Sequence, residues 1–318
     1  MASRKPGVQD AIAHSTPFSV TGKSAIITGA GSGINYSFAA LLLSRGCNVL
    51  IADLSLRPEA QKLLEDNKSS PKAVFAKTDV TSWPQLERMF AVATEHFGTI
   101  DIVCPGAGIY DPHWTNFWHP PGSTTSKDSP DSSRYATLDI NLTHPIRVTQ
   151  LAISHFLASD VSPSNPKRVI LISSIAGQTT NLNTPLYVAA KHGINGFVRS
   201  LSSLDARLGI RVNAVAPGVI KTPLWTEHPE KLRFVDEAVD VWATAEEVAE
   251  AMVRCLEEEG LEGGTVLEVG RAQTRRVEAF MDPGPSGSGH TVGRLEEGYD
   301  EVFGWLEGEG WGRGKAKL

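Results

Sequence analysis

From Ser24 onward the chain alternates two kinds of apolar pattern. Compact, β-branched runs at Ser24–Thr28, Asn48–Ala52, Ala73–Lys77, Ile100–Cys104, Arg168–Ile172, Arg211–Val215 and Thr265–Val269 read as buried strands. Between them, apolar residues recur at helical spacing over Ile34–Arg45, Leu56–Asn67, Trp83–Phe97, Tyr135–Leu157, Leu186–Leu208 and Ala245–Glu258. Gly46 and Gly98 supply helix stops, and Thr81 or Ser82 offers an N-cap to the third helix. Two stretches break the rhythm. Residues 110–133 mix prolines, serines and aromatics like an insertion loop, and 218–242 form a second long loop. Residues 1–20 are polar and read as a flexible arm. Residues 271–318 turn rich in Gly, Pro, Ser, Glu and Trp and read as a partly ordered extension.

Strand–helix alternation of this kind predicts the α/β class. The expected architecture is a Rossmann-type, doubly wound parallel sheet of about seven strands in a three-layer α/β/α arrangement, over residues 21–270. Ligands of such a sheet sit beyond the carboxyl ends of its strands. The 318 residues carry 41% hydrophobic and 21% charged positions, an ordinary globular mixture. The net charge of −6 offers no basic field for nucleic acid. Three widely spaced cysteines give neither a disulfide framework nor a zinc motif, and no metal site is expected. No apolar run approaches the roughly 18 residues that span a bilayer. The expectation is a cytoplasmic protein with no membrane partner.

The first strand runs directly into Gly29-Ala30-Gly31-Ser32-Gly33-Ile34, which opens the first helix. Small residues there let backbone N–H groups approach a pyrophosphate at a helix N-terminus, where the dipole favours negative charge. Asp53 closes the second strand. A carboxylate at that point accepts bonds from the adenosine ribose hydroxyls and repels a 2′-phosphate, so NAD is favoured. Arg57 lies nearby and keeps NADP possible.

Downstream, Ser174 precedes Tyr187 by thirteen positions, Tyr187-Val188-Ala189-Ala190-Lys191 follows, and Asn141 lies on the preceding helix. With Thr28–Ile34 and Pro217-Gly218, this set resembles the short-chain dehydrogenase/reductase family of the single-domain type, over about Lys23 to Gly270. Within it the chain looks similar to hydroxyprostaglandin dehydrogenases and fungal secondary-metabolite alcohol dehydrogenases. Tyr187 and Lys191 are one helical turn apart, so both project from one face. An ammonium beside a phenol lowers the phenol pKa toward working pH. Tyr187 would then be the acid/base for alcohol–ketone interconversion, and Ser174 would steady the substrate oxygen. The resemblance further implies that Lys191 bonds the nicotinamide ribose and that Asn141 holds a water. It implies that Asp79-Val80 meet the adenine, that Ala107-Gly108 give close backbone approach, and that Pro217, Gly218, Ile220 and Thr222 meet the carboxamide. A homodimer or homotetramer follows by the same analogy.

Two positions depart from the family pattern. Asn35 stands where the glycine loop usually carries another glycine, and Pro105-Gly106 stand where two asparagines are usual. The insertion brings Tyr110, Trp114, Phe117 and Trp118, and the later loop brings Trp225. These aromatics would either wall a cleft for a bulky apolar small-molecule substrate or pack the loops onto the body.

Overall fold

A computed structural model describes residues 17–226, 236, 241–278, 295–308 and 311. Eight strands form one sheet: β1 (Ser24–Thr28), β2 (Asn48–Asp53), β3 (Ala73–Lys77), β4 (Ile102–Cys104), β5 (Lys167–Ile172), β6 (Ile210–Pro217), β7 (Val266–Gly270) and β8 (Gln273–Arg276). Their order is β3-β2-β1-β4-β5-β6-β7-β8. The first seven are parallel and β8 pairs antiparallel with β7. The order reverses between β1 and β4, which opens a crevice at their carboxyl ends. Seven strands are those expected from the sequence. The eighth comes from the exposed, polar stretch Gln273–Arg276, which has no apolar alternation to announce it. It follows a tight turn with Ala272 at φ 53° and is held by its ladder bonds, by the Arg275–Glu268 ion pair and by a bond from Arg254 to the Thr274 hydroxyl.

Helices flank both faces. The first three are α1 (Gly33–Ser44), α2 (Pro58–Asp66) and α3 (Trp83–Phe97). The predicted Tyr135–Leu157 helix is a composite of α4 (Ala136–Leu138), a wide π-type turn at Asp139–Thr143, and α5 (His144–Ala158). The predicted Leu186–Leu208 helix breaks near Leu201 into α6 (Pro185–Ser200) and α7 (Ser203–Leu208). A short α8 (Pro223–Thr226) and α9 (Ala245–Glu257) follow, and α10 (Leu295–Glu307) lies in the C-terminal extension. Gly98 stops α3 at φ 77°, as expected, but Ser82 caps no N–H with its side chain, and the Thr81 hydroxyl bonds Asp79 instead. α9 has a full capping box between Thr244 and Glu247.

Two apolar layers sandwich the sheet. Phe38, Leu42, Ile27, Met252 and Val248 build one, and Phe156, Leu50, Leu86, Val212 and Val198 build the other. The ends of the chain join both. Phe18 and Val20, inside the stretch expected to be an arm, are buried, and the Val20 N–H donates to Glu257. Leu306 of α10 is buried against the second layer, where Arg207 stacks 4.2 Å above Phe303 and pairs with Asp300 at 2.9 Å. The insertion is tied down by polar bonds: Thr137 donates to Thr115 from its N–H and its hydroxyl, and Asp128 accepts from Ala136 N–H.

At the end of the sheet opposite the crevice, Lys167 Nζ lies 2.7 Å from Asp101 Oδ1 with both side chains buried. The second Asp101 oxygen accepts from the Ser24 N–H at 3.1 Å, so this carboxylate joins β1 to β5 across β4. Asp101→Asn strands the Lys167 cation in the core. Urea unfolding should show a loss of about 3 kcal/mol, with NADH affinity unchanged because the pair lies at the far end of the strands.

Candidate active site

One cleft of about 810 Å³ opens at the carboxyl ends of the strands. Its floor is backbone. Gly29, at φ 73°, passes so close to the Ala107 segment that a Cβ on it would lie 2.7 Å from Ala107 Cα. A Cβ on Gly108 would lie 2.9 Å from Asn141 Oδ1. α1 then starts at Gly33 with Ser32 making no side-chain cap and no acidic residue in the first turn. Its leading N–H groups therefore face the cleft uncapped, which is how a helix start receives an anion. This cradle fits a dinucleotide pyrophosphate over Gly29, Gly31, Ser32, Gly33 and Ile34.

Asp53 stands at the end of β2 on the cleft wall. Its carboxylate accepts from Gly31 N–H at 2.8 Å and Leu54 N–H at 2.7 Å, which locks it against the glycine loop. Gly31 has to be glycine, since a Cβ there would meet Asp53 Oδ2 at 2.8 Å. Arg57 does not line the cleft, while Asp53, Asp79 and Val80 do. Asp79 plays a structural part as well, accepting from the Thr81 N–H and hydroxyl at 2.9 and 2.7 Å. Pro217, Gly218, Ile220 and Thr222 line the other end, and Thr222 packs over Gly33.

The residues expected to react converge there. Ser174 caps the short turn Ile175–Gly177 two residues after β5, and Tyr187 and Lys191 share one face of α6, all three on the cleft wall. The Ser174 hydroxyl stands near enough to the Tyr187 phenol to lower its pKa, while its own bonds run to the Pro217 carbonyl at 3.4 Å and from the Ala176 N–H at 3.2 Å. Lys191 Nζ lies 5.2 Å from the Tyr187 ring centre and donates to the Ile172 carbonyl at 2.8 Å. Burial acts on both groups and favours the neutral form of each. It pushes the Tyr187 phenol above the ordinary tyrosine range, against the lowering effect of Ser174. It lowers Lys191 to about 8. The sequence led us to expect Lys191 to depress the phenol. In the folded site burial is the largest influence on both groups, and the Lys191 ammonium is held on the Ile172 carbonyl.

Asn141 sits in the π-type turn, a geometry that often marks functional positions. Its carboxamide is fully used: Oδ1 accepts from Ile109 N–H at 3.0 Å and Nδ2 donates to Ile109 O at 2.8 Å. It clamps the Gly108–Ile109 segment to the helix.

Of the predicted substrate residues, Tyr110 and Trp118 line the cleft. The Tyr110 ring stands edge-on to Tyr187 at 4.8 Å. Trp118 donates its indole N–H to Leu182 O across the mouth. Trp114 and Phe117 do not line it; Trp114 lies under Lys127, and Phe117 packs edge-on against Trp118. They serve the fold of the insertion. The Trp225 side chain lies outside the described residues. The far wall is more polar than the aromatic count implied, with His113, Asn116, His119, Asn181 and Asn183.

Three supporting groups escaped the sequence reading. His144 is buried and accepts from the Thr28 hydroxyl at Nε2 (3.0 Å), while Nδ1 faces the Ile140 carbonyl (3.0 Å). Thr28 Oγ1 in turn accepts from the Ala107 N–H at 3.2 Å. The order of donors fixes the tautomer with the proton on Nδ1. Asn195 joins Ser173 to the Gly177 carbonyl at 2.6 and 2.8 Å and so braces the Ser174 turn. Asp111 accepts from the Tyr187 N–H at 3.3 Å. None of the three lies in a local pattern that distinguishes it from an ordinary polar residue.

A model of the short chain dehydrogenase family matches residues 23–233. The chain is 32% identical over 217 residues to a hydroxynaphthalene reductase-like protein of Metarhizium robertsii, covering 68% of this chain and 74% of that one. It is 33% identical over 211 residues to the 15-hydroxyprostaglandin dehydrogenase (NAD+) of Rattus norvegicus, covering 64% and 71%. Among solved structures, a 3-ketoacyl-(acyl-carrier-protein) reductase from Brucella melitensis complexed with NADH has the same fold, with a TM-score of 0.63 at 21% identity, over 79% of this chain and 98% of that one. Matched by the family model over more than half of its length, this chain belongs to the short-chain dehydrogenase family. It is an oxidoreductase of CH–OH donors that uses a nicotinamide cofactor to interconvert a secondary alcohol and a ketone. No helix among the described residues is long and apolar enough to cross a membrane.

His144 gives the site a pH signature. Burial lowers its pKa from 6.5 to about 4, with Lys191 adding to the effect. Its folded pKa is below its unfolded one, so the stabilisation is complete above about pH 6.5 and is lost as pH falls toward 4. This slope amounts to about 3 kcal/mol at most. Urea melts between pH 7 and 4.5 should be less pH-dependent for His144→Gln than for the wild type; equal slopes would show that His144 has the same pKa folded and unfolded.

Proposed function

We propose that the protein is an NAD(H)-dependent alcohol dehydrogenase/ketoreductase for a bulky small molecule, with Tyr187 as its acid/base. The observation that carries this is the junction of the Ser174 hydroxyl, the Tyr187 phenol and the Lys191 ammonium on one wall of a glycine-floored cleft. A nicotinamide bound there supplies or accepts the hydride at the reacting carbon. In reduction, the Tyr187 hydroxyl donates its proton to the substrate oxygen as that oxygen gains charge; in oxidation, the phenolate takes the proton back. Ser174 donates a hydrogen bond to the same oxygen and stabilises the charge on it. Lys191, on the Ile172 carbonyl, provides positive charge for the phenolate and a donor for the nicotinamide ribose. With its carboxamide committed to Ile109, Asn141 contributes a backbone carbonyl to any water path from Lys191.

Asp53 supports NAD over NADP. It faces the cleft with its charge fixed by two backbone N–H groups, and a 2′-phosphate beside it meets repulsion. Tyr110, Trp118, Ile175 and Leu224 support a substrate with a broad apolar body. The polar far wall suits oxygen atoms at the end remote from the reacting carbon. The name of the Metarhizium robertsii relative, a hydroxynaphthalene reductase-like protein, fits a flat substrate of this kind.

A screen of bulky secondary alcohols with NAD and of the matching ketones with NADH, read from NADH absorbance, tests the reading. On a compound that turns over, Tyr187→Phe should lower kcat by about a thousandfold with little change in NADH affinity. An equally fast variant would remove the assigned acid/base. Asp53→Ala should raise the NADP-to-NAD ratio of kcat/KM by at least ~10-fold; a wild type that already prefers NADPH would overturn the NAD assignment.

A further inference from the structure

The two sequence departures, Asn35 and Gly106, meet at one point in the fold. Asn35 lies in the first turn of α1, Gly106 follows β4, and both line the cleft at the β1/β4 reversal. A Cβ on Gly106 would lie 2.7 Å from both Cγ and Nδ2 of Asn35, and closer still to Oδ1. The carboxamide therefore occupies the space that any side chain at 106 would need. Only 7% of Asn35 is exposed. Its Oδ1 receives a weak contact from Cys104 Sγ at 3.9 Å. Among the described residues its Nδ2 has no hydrogen-bond partner, and it is not sealed off from the cleft. Its partner must therefore come from the cleft, where water serves it until a ligand takes that place. Asn35 is on the same turn as the uncapped N–H groups of Ser32–Ile34, far from the wall that carries Ser174 and Tyr187.

We propose that Asn35 is a further cofactor-binding residue: its side-chain amide donates a hydrogen bond to the phosphate–ribose part of the dinucleotide, and Gly106 is glycine to make room for it. The proposal rests on the reading that the cleft holds a nicotinamide dinucleotide. Asparagine on the helix with glycine on the loop is a coupled arrangement, in which neither residue can change alone without loss.

Dissociation constants for NADH and for ADP-ribose, measured by calorimetry on the full chain, test it. Asn35→Ala should weaken both ligands by about tenfold and by the same factor, because the contact is on the part they share. Asn35→Asp, which keeps the shape but places an acceptor near a pyrophosphate, should weaken both further. Gly106→Ala should lower the melting temperature and weaken binding in the wild type, yet have little effect on either in an Asn35→Gly background. A wild type that binds neither NADH nor NADPH would overturn the dinucleotide reading itself. Wild-type affinity retained in both Asn35→Ala and Asn35→Asp would overturn the donor assignment alone. A loss confined to NADH would move the contact to the nicotinamide half and overturn the placement. Should Asn35→Ala fold poorly, Asn35→Asp carries the same comparison.

Discussion

The approach of Gly29 to Ala107 is the contact on which the site depends. Two chain segments, one leaving β1 and one leaving β4, come within van der Waals distance with no side chain between them. The Ala107 N–H donates to Thr28 Oγ1, the Thr28 hydroxyl donates to His144, and His144 reaches the Ile140 carbonyl in the π-type turn. One chain of hydrogen bonds thus runs from the β4 loop through the end of β1 into the helix that carries Asn141. Asn141 closes the circuit by clamping Ile109. Widening any one of these contacts would open the floor of the cleft, since no bulky side chain is there to hold it in place.

Around that floor the same dryness acts on each reacting group. Burial raises the phenol of Tyr187 and lowers the ammonium of Lys191, so the environment favours neutral forms of both. Their positions are set by the fold: the Ser174 hydroxyl stands beside the phenol, and a main-chain carbonyl holds the ammonium. The supports for that geometry are neutral hydrogen bonds from Asn195 and a single carboxylate, Asp111. Burial thus sets the direction of the shift at both Tyr187 and Lys191.

The segments added to the core divide the remaining work. The insertion contributes Tyr110 and Trp118 to the cleft, and its other aromatics hold its own shape. None of the described residues of the C-terminal extension lines the cleft. The extension adds β8 to the exposed edge of β7 and sets Phe303 and Leu306 of α10 against α7 and the second core layer. An edge that would otherwise present unpaired backbone groups is covered in this way.

Local pattern alone determined most of the architecture. Period-two and period-3.6 runs placed seven strands and their helices within a few residues, because each element buries a continuous apolar face. The glycine loop, Asp53, Ser174, Tyr187 and Lys191 were legible for a related reason: their spacing along one strand or one helical turn fixes their relative positions. Tertiary structure decided what depends on neighbours distant in sequence. β8 carries no apolar signal, and the breaks in the long helices arise where packing and the Asn141 turn override propensity. His144, Asn195 and Asp111 acquire roles only through partners on other elements. The direction of the Tyr187 and Lys191 shifts follows from how deeply the fold buries them, which spacing does not encode. Asn35 and Gly106 read as two separate departures along the chain, and only the folded backbone, bringing α1 against the β4 loop, makes them one fitted pair.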